Sequence, residues 1–211
     1  MTITCIIPAY NEEKTIGNIL DVIKEVEIID EIIVVSDGSS DKTADVALSK
    51  GVKVVELKEN RGKGGAMKAG LENSQGDIIL FLDADLIGLT PHHIESLVEP
   101  VKSGRVPMSL GIFTKGRKTT DLAQKFAPYL SGQRAIKREL INTISHLEVS
   151  RFGVELALTR LVERENIDVE IVPLPDMSHV MKEEKLGLVK GFMARLKMYW
   201  EIVNYLFKNP S

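Results

Sequence analysis

A chain of 211 residues, 44% of them hydrophobic, can bury one sizeable core and is expected to form a single domain over 1–211. Its net charge of −3 argues against a nucleic-acid binder that relies on bulk electrostatics, so no nucleic-acid partner is expected. The single cysteine, Cys5, excludes a disulfide framework and no apolar run reaches the roughly 18 residues of a membrane span, so with no secretory leader before Ile3 a cytoplasmic protein is expected.

Ile3 to Pro8 is predicted as the first strand, followed by the loop Ala9-Tyr10-Asn11-Glu12. Ile16, Ile19, Leu20 and Ile23 recur at helical spacing. Ile32 to Val35 forms a second strand ending in Ser36-Asp37-Gly38-Ser39-Ser40-Asp41, where Ser40 or Asp41 is expected to cap a helix that stops at Gly51. Val52 to Leu57 is the third strand, and Arg61-Gly62-Lys63-Gly64-Gly65 is a loop leading into the next helix. The run Ile78 to Leu82, apolar enough to be buried on both faces, ends abruptly in Asp83 and Asp85. Side chains two apart in a strand share a face, so both carboxylates are expected to project together at the strand's carboxyl end. Open α/β sheets bind ligands at that end. Close together, the two acids repel unless a cation or hydrogen-bond donors compensate; solvated loop acids or helix caps are the plainer reading.

Strands and helices alternate through the first 90 residues, which predicts parallel βαβ units with right-handed crossovers. The glycines of the Arg61 loop permit close backbone approach and Lys63 adds a positive charge, a combination suited to phosphate oxygens. The spacing is not that of a Walker A loop, and no GxGxxG follows the first strand, which argues against a nicotinamide-binding unit.

Pro91 opens a helix carrying Ile94, Leu97 and Val98, with His92 and His93 in its first turn read as surface residues. Val106 to Phe113 alternates and is expected to rejoin the sheet. The cations of Thr114-Lys115-Gly116-Arg117-Lys118, with Lys125, Arg134, Lys137 and Arg138, form either a solvated basic surface or a pocket for an acidic acceptor. Leu186 to Phe207 is a helix with a wide apolar stripe, read as packing on the domain or on a second subunit in a homodimer. The alternative is a peripheral helix at the inner face of a membrane.

The series Ile7-Pro8-Ala9-Tyr10-Asn11-Glu12-Glu13, Val35-Ser36-Asp37-Gly38-Ser39-Ser40-Asp41, Asn60-Arg61-Gly62-Lys63-Gly64 and Phe81-Leu82-Asp83-Ala84-Asp85 resembles family 2 glycosyltransferases. That resemblance implies the α/β GT-A fold of nucleotide-diphospho-sugar transferases, a mainly parallel sheet flanked by helices. It divides the chain into a nucleotide-binding half (1–90), an acceptor half (91–185) and a C-terminal amphipathic helix (186–208). It implies a UDP- or GDP-linked sugar donor, with Pro8, Ala9, Tyr10, Glu12 and Asp37 about the base and ribose and Lys63 near the base or diphosphate. Asp83-Ala84-Asp85 would be the DxD motif holding ribose and a Mg2+ or Mn2+ ion, with Asp85 the metal ligand central to catalysis. Ser36 departs from the pattern, standing where many relatives have a second aspartate.

Leu130-Ser131-Gly132-Gln133-Arg134 and Arg151-Phe152-Gly153-Val154-Glu155-Leu156 extend the resemblance to acceptor-side segments of polyprenyl-phosphate sugar transferases and glucosyl-3-phosphoglycerate synthases. On that basis Ser131 and Arg134 are expected at the acceptor, and Arg117 of the basic cluster joins them on the pocket reading. Glu155 is expected to orient or deprotonate the acceptor hydroxyl, the bland alternative being a helix-cap acid. His179 matches a metal-binding histidine of the second group, against the alternative of an exposed loop histidine. The activity implied is hexose transfer to a small phosphorylated or polyprenyl-phosphate acceptor, with a nucleotide-sugar-binding protein lacking transferase activity as the other reading. A sugar-1-phosphate nucleotidyltransferase is disfavoured, because Pro8-Ala9-Tyr10-Asn11 stands where those enzymes carry a glycine/arginine phosphate loop.

Overall fold

A computed structural model describes residues 1–114, 131–144 and 161–180. Arg117, Glu155 and the C-terminal helix expected over 186–208 lie outside the described residues. Strand β1 (Ile3–Ala9) leads to helix α1 (Ile16–Lys24), β2 (Glu31–Asp37) to α2 (Thr43–Ser49), and β3 (Lys53–Leu57) to α3 (Gly62–Glu72). Strand β4 (Ile78–Phe81) runs through the short β5 (Leu86–Ile87) to α4 (Pro91–Lys102), followed by β6 (Met108–Phe113), β7 (Arg134–Lys137), α5 (Arg138–Ile144) and β8 (Val169–Leu174). All of these belong to one compact unit, Met1–Met177. A second unit begins at Ser178, and its described part contains the exposed strand β9 (Ser178–His179).

Among the described residues, seven strands form one sheet in the order β3-β2-β1-β4-β7-β6-β8. The pairings are parallel except for β7, which runs antiparallel to both β4 and β6. The mainly parallel sheet flanked by helices is therefore as expected. Period-two alternation sorts the core into two layers. Ile3, Cys5 and Ile7 of β1, with Ile78 and Leu80 of β4, face Ile16, Ile19, Leu20 and Ile23 of α1 and Ile94, Leu97 and Val98 of α4. Ile6, Ile33, Val35, Ile79 and Phe81 take the other side with Ala66 and Met67 of α3. Because both faces are covered, these strands read in sequence as continuous apolar runs, and each buried Ile contributes about 1.5–3 kcal/mol.

The path from β1 to β2 goes one way along the sheet, while β4 lies on the other side of β1, so the switch point of the fold falls between β1 and β4. Pro8 marks it in the backbone. The last β1–β4 pair is Ile6 with Phe81, and the Leu82 N–H still reaches the Ile6 carbonyl at 3.2 Å. Pro8 is two residues further on, on the same side of β1, where the partner strand has already left. Its missing N–H therefore breaks no ladder bond.

Two local expectations change. The Arg61 glycines lie inside α3 rather than in a loop before it, since the helix starts at Gly62. The helix after β2 starts at Thr43, and Asp41 accepts the Thr43 N–H (3.0 Å) instead of serving as the N-cap. His92 is exposed as read from the sequence, but His93 is buried. In a capping box, the His93 N–H donates to Thr90 Oγ1 (3.4 Å) and the Thr90 N–H donates to His93 Nδ1 (3.2 Å). Burial and then the neighbouring His92 lower the His93 pKa below its ordinary 6.5, while Asp176 and the backbone at Pro175 and Gly88 pull the other way.

The unfolded chain takes up this proton near pH 6.5 and the folded chain only at lower pH. The stability contributed by neutral His93 is thus fully present above that value and is lost as the pH falls below it. Denaturation curves at pH 7.5 and 5.5 should show this loss, and it should shrink in His93→Gln. A second test uses the close approach of α3 to the sheet at Gly70, where an added Cβ would meet Ile6 Cγ2 and lie 3.3 Å from Val35 Cγ2. Gly70→Ala should destabilise the fold by about 1–3 kcal/mol through overpacking, read from the shift of the denaturation midpoint.

Candidate active site

Three loops meet at the carboxyl edge of the parallel strands. The β1 loop is clipped to the β2 loop through its backbone: the Asn11 N–H donates to Ser39 Oγ (3.2 Å), the Ser40 N–H to Asn11 Oδ1 (2.8 Å), and the Glu12 N–H to Thr43 Oγ1 (2.8 Å). Asn11 takes a left-handed φ of 55° to make this turn. The Glu12 carbonyl receives the N–H groups of Thr15 and Ile16, so Glu12 also steadies the entry to α1. Pro8 and Ala9 are largely covered, whereas Tyr10 is 50% exposed with its ring available to a planar ligand.

Asp37, at the end of β2, is buried. Its Oδ1 accepts the Arg61 N–H at 2.7 Å, and Asn60 Nδ2 donates to its carbonyl at 3.1 Å. These bonds tie the β2 end to the start of α3. Gly38 makes this possible: its φ is +68°, and a Cβ there would stand 2.6 Å from the Asn60 nitrogen.

Strand β4 stops at Phe81, so Asp83-Ala84-Asp85 is a turn and not a strand end. Strand alternation, the reason expected for two acids on one face, is not what joins them. The turn does so instead, with Ala84 tucked into the core. Asp83 and Asp85 are half-buried, and each offers a carboxylate oxygen within 4.8 Å of the other. Lys63, in the first turn of α3, places Nζ 2.6 Å from Asp83 Oδ1. Gln133, just before β7, donates Nε2–H to Asp83 Oδ2 at 3.0 Å. Register explains how Gln133 gets there, because β7 pairs antiparallel with β4 and sets Arg134 opposite Phe81. Gly132 lies against the same ion pair; a Cβ at this position would fall 2.5 Å from Lys63 Nζ and 2.6 Å from Asp83 Oδ1.

The structure therefore brings together Pro8, Ala9, Tyr10, Glu12, Asp37, Lys63, Asp83, Ala84 and Asp85 on neighbouring loops of one sheet edge. Two residues expected at the acceptor hydrogen-bond to the backbone here. Ser131 donates to the Gly111 carbonyl (2.5 Å), and Arg134 is 1% exposed with Nη2 donating to the Ser131 carbonyl. Arg134 is thus a buried cation, held at the edge of the sheet by the Ser131 carbonyl. Gly132 and Gln133 carry no individual role in the acceptor-side segment read from the sequence; the antiparallel pairing of β7 is what sets them against Asp83. His179 belongs to the second unit and is exposed. Hard carboxylate oxygens at this separation, partly shielded from water, fit a divalent cation such as Mg2+ or Mn2+.

Comparison with known proteins agrees with this geometry. Glucosyl-3-phosphoglycerate synthase of Mycolicibacterium paratuberculosis is 31% identical over 194 residues, 74% of this chain. The chain spans 58% of that relative's length. Dolichyl-phosphate beta-glucosyltransferase of Drosophila melanogaster is 41% identical over 101 residues, covering 40% of this chain and 31% of its own. A crystal structure of glucosyl-3-phosphoglycerate synthase from Mycobacterium tuberculosis in complex with Mn2+, UDP-glucose and phosphoglyceric acid superimposes with a TM-score of 0.73 at 31% identity, over 85% of this chain and 71% of the other. The fold is thus the GT-A fold. The family model for glycosyl transferase family 2 matches residues 4–155, and the chain belongs to that family.

Proposed function

We propose that this chain moves a hexose from a UDP-linked donor to a small phosphate-bearing acceptor, with Mg2+ or Mn2+ bound at Asp83 and Asp85. The observation that carries the reading is the carboxylate pair in the turn after β4, beside the switch point, with Asp83 already in contact with Lys63. Relatives crystallised with Mn2+, UDP-glucose and phosphoglyceric acid support the choice of donor and acceptor class. A polyprenyl-phosphate acceptor is the second reading, favoured by the 41% identity to the dolichyl-phosphate enzyme over the shared segment.

In this reading Tyr10 stacks on the base, while Asp37 holds the nucleoside from the floor of the pocket with the oxygen not engaged by Arg61. Asp83 orients the ribose and sugar, and Asp85 is the principal cation ligand. Lys63 transfers its charge from Asp83 to the diphosphate as the donor settles. A divalent cation supplies charge neutralisation on the leaving diphosphate without any proton transfer. His179 is proposed as the third ligand of the set. Its tether favours this. Met177, two residues before it, is a core residue, and Asp176 packs its carbonyl against Gly88, three residues beyond Asp85. Glu155 remains the proposed orienting or deprotonating group for the acceptor hydroxyl, and Arg117 a proposed phosphate contact.

Asp85→Ala should lower transfer from UDP-glucose to 3-phosphoglycerate by about 10²–10³-fold while the circular dichroism spectrum stays native. Near-normal turnover of that variant in excess metal would remove Asp85 from the catalytic role. A binding protein without transferase activity would instead take up UDP-glucose and Mn2+ and release neither glucose nor UDP. His179→Ala should weaken Mn2+ binding by roughly tenfold or more in calorimetric titration with UDP present, and unchanged affinity would exclude it as a ligand.

A further inference from the structure

We propose that Gln133 is a positioning residue for Asp83, and that Ser131, Gly132 and Gln133 form a wall built to hold that carboxylate in one orientation. The inference rests on the reading of Asp83 and Asp85 as the cation and donor site. Four observations carry it.

First, Gln133 is fully buried and spends its side-chain N–H on Asp83 Oδ2 at 3.0 Å. Second, its own backbone is locked: the Gln133 N–H donates to Ser131 Oγ (3.2 Å), and the Gly111 N–H donates to the Gln133 carbonyl (2.9 Å). Ser131 is fixed in turn by its bond to the Gly111 carbonyl. Third, Gly132 lies so close to the Lys63–Asp83 pair that any side chain there would displace it. Fourth, the other end of the Gln133 amide has no hydrogen-bond partner among the described residues. A buried acceptor left in that state is unfavourable, so packing alone would favour an apolar residue of similar size.

Asp83 is consequently held at both oxygens, Oδ1 by Lys63 and Oδ2 by Gln133. The two partners differ in kind. Lys63 is a mobile charge that can pass to an incoming diphosphate; Gln133 is neutral and anchored in the sheet. When Lys63 leaves, the amide keeps the carboxylate plane fixed and Oδ1 turned toward the ligand. Because the amide carries no charge, it orients Asp83 without reducing the negative potential a cation needs. An outer partner of this kind sets the geometry of the ligating group, and its loss typically weakens metal binding by about 10–100-fold.

The test uses the full chain with Gln133→Met, close in volume and unable to donate, and Gln133→Asn, which donates but is too short to reach. Calorimetry with Mn2+ at saturating UDP should show both binding Mn2+ about 10–100-fold more weakly than wild type. The thermal midpoint of Gln133→Met should stay level or rise, since the orphaned acceptor is gone. The loss should vanish when Gln133→Met is made in an Asp83→Ala background. Wild-type Mn2+ affinity in both variants, or an equal further loss in the Asp83→Ala background, overturns the proposal while leaving the reading of the site intact. If the wild-type chain itself takes up neither Mn2+ nor UDP, the reading of the site falls, and the role of Gln133 falls with it.

Discussion

Two carboxylates within 4.8 Å of each other in the turn that follows a buried strand impose the constraint around which this edge of the molecule is arranged. At an effective dielectric of about 20 their repulsion is roughly 3 kcal/mol or more, a large share of the net stability of any domain. Among the described residues, a cation and a neutral donor help to meet this. Lys63 comes from a helix on one face of the sheet and Gln133 from the strand beside β4. Asp37 shows the same economy at the neighbouring strand, where the Arg61 amide takes up its charge. The start of α3 therefore serves both acids, Asp37 through the N-cap Arg61 and Asp83 through Lys63.

Much of this was legible in the sequence, for a simple reason. Parallel strands covered on both faces must be apolar throughout, so β1, β2 and β4 stand out against the polar loops that follow them. The order of those loops then carried the family resemblance, and with it the expectation that Asp37, Lys63, Asp83 and Asp85 converge. The geometry was less legible. A two-residue spacing suggested strand alternation, whereas a turn brings Asp83 and Asp85 together. Nothing local announces that β7 runs antiparallel, since Arg134–Lys137 is a short segment with a charged residue at each end. That single reversal places Gln133 and Gly132 at the site and buries Arg134, which as a cation in a basic stretch looked like a surface residue.

His93 illustrates a different limit. Adjacent histidines at a helix start look like solvent-facing residues, and for His92 that is correct. His93 instead closes the capping box with Thr90 and lies near Gly88 and Pro175, where two distant parts of the chain converge. The tertiary packing of Asp176 on Gly88 contributes to this environment, alongside burial and the adjacent His92. The helix cap thus also faces the backbone at Pro175, joining a local device to a distant part of the chain.

Pro8 has a consequence beyond completing the first strand. A residue with no amide hydrogen cannot donate to β4, so the two strands part beyond the Ile6–Phe81 pair at a position where covalent chemistry denies one of them a ladder bond. A ligand bound there would not have to create that parting, and little of its interaction energy would go into ordering this stretch of backbone. A donor analogue would then be met by matching shape more than by adaptation.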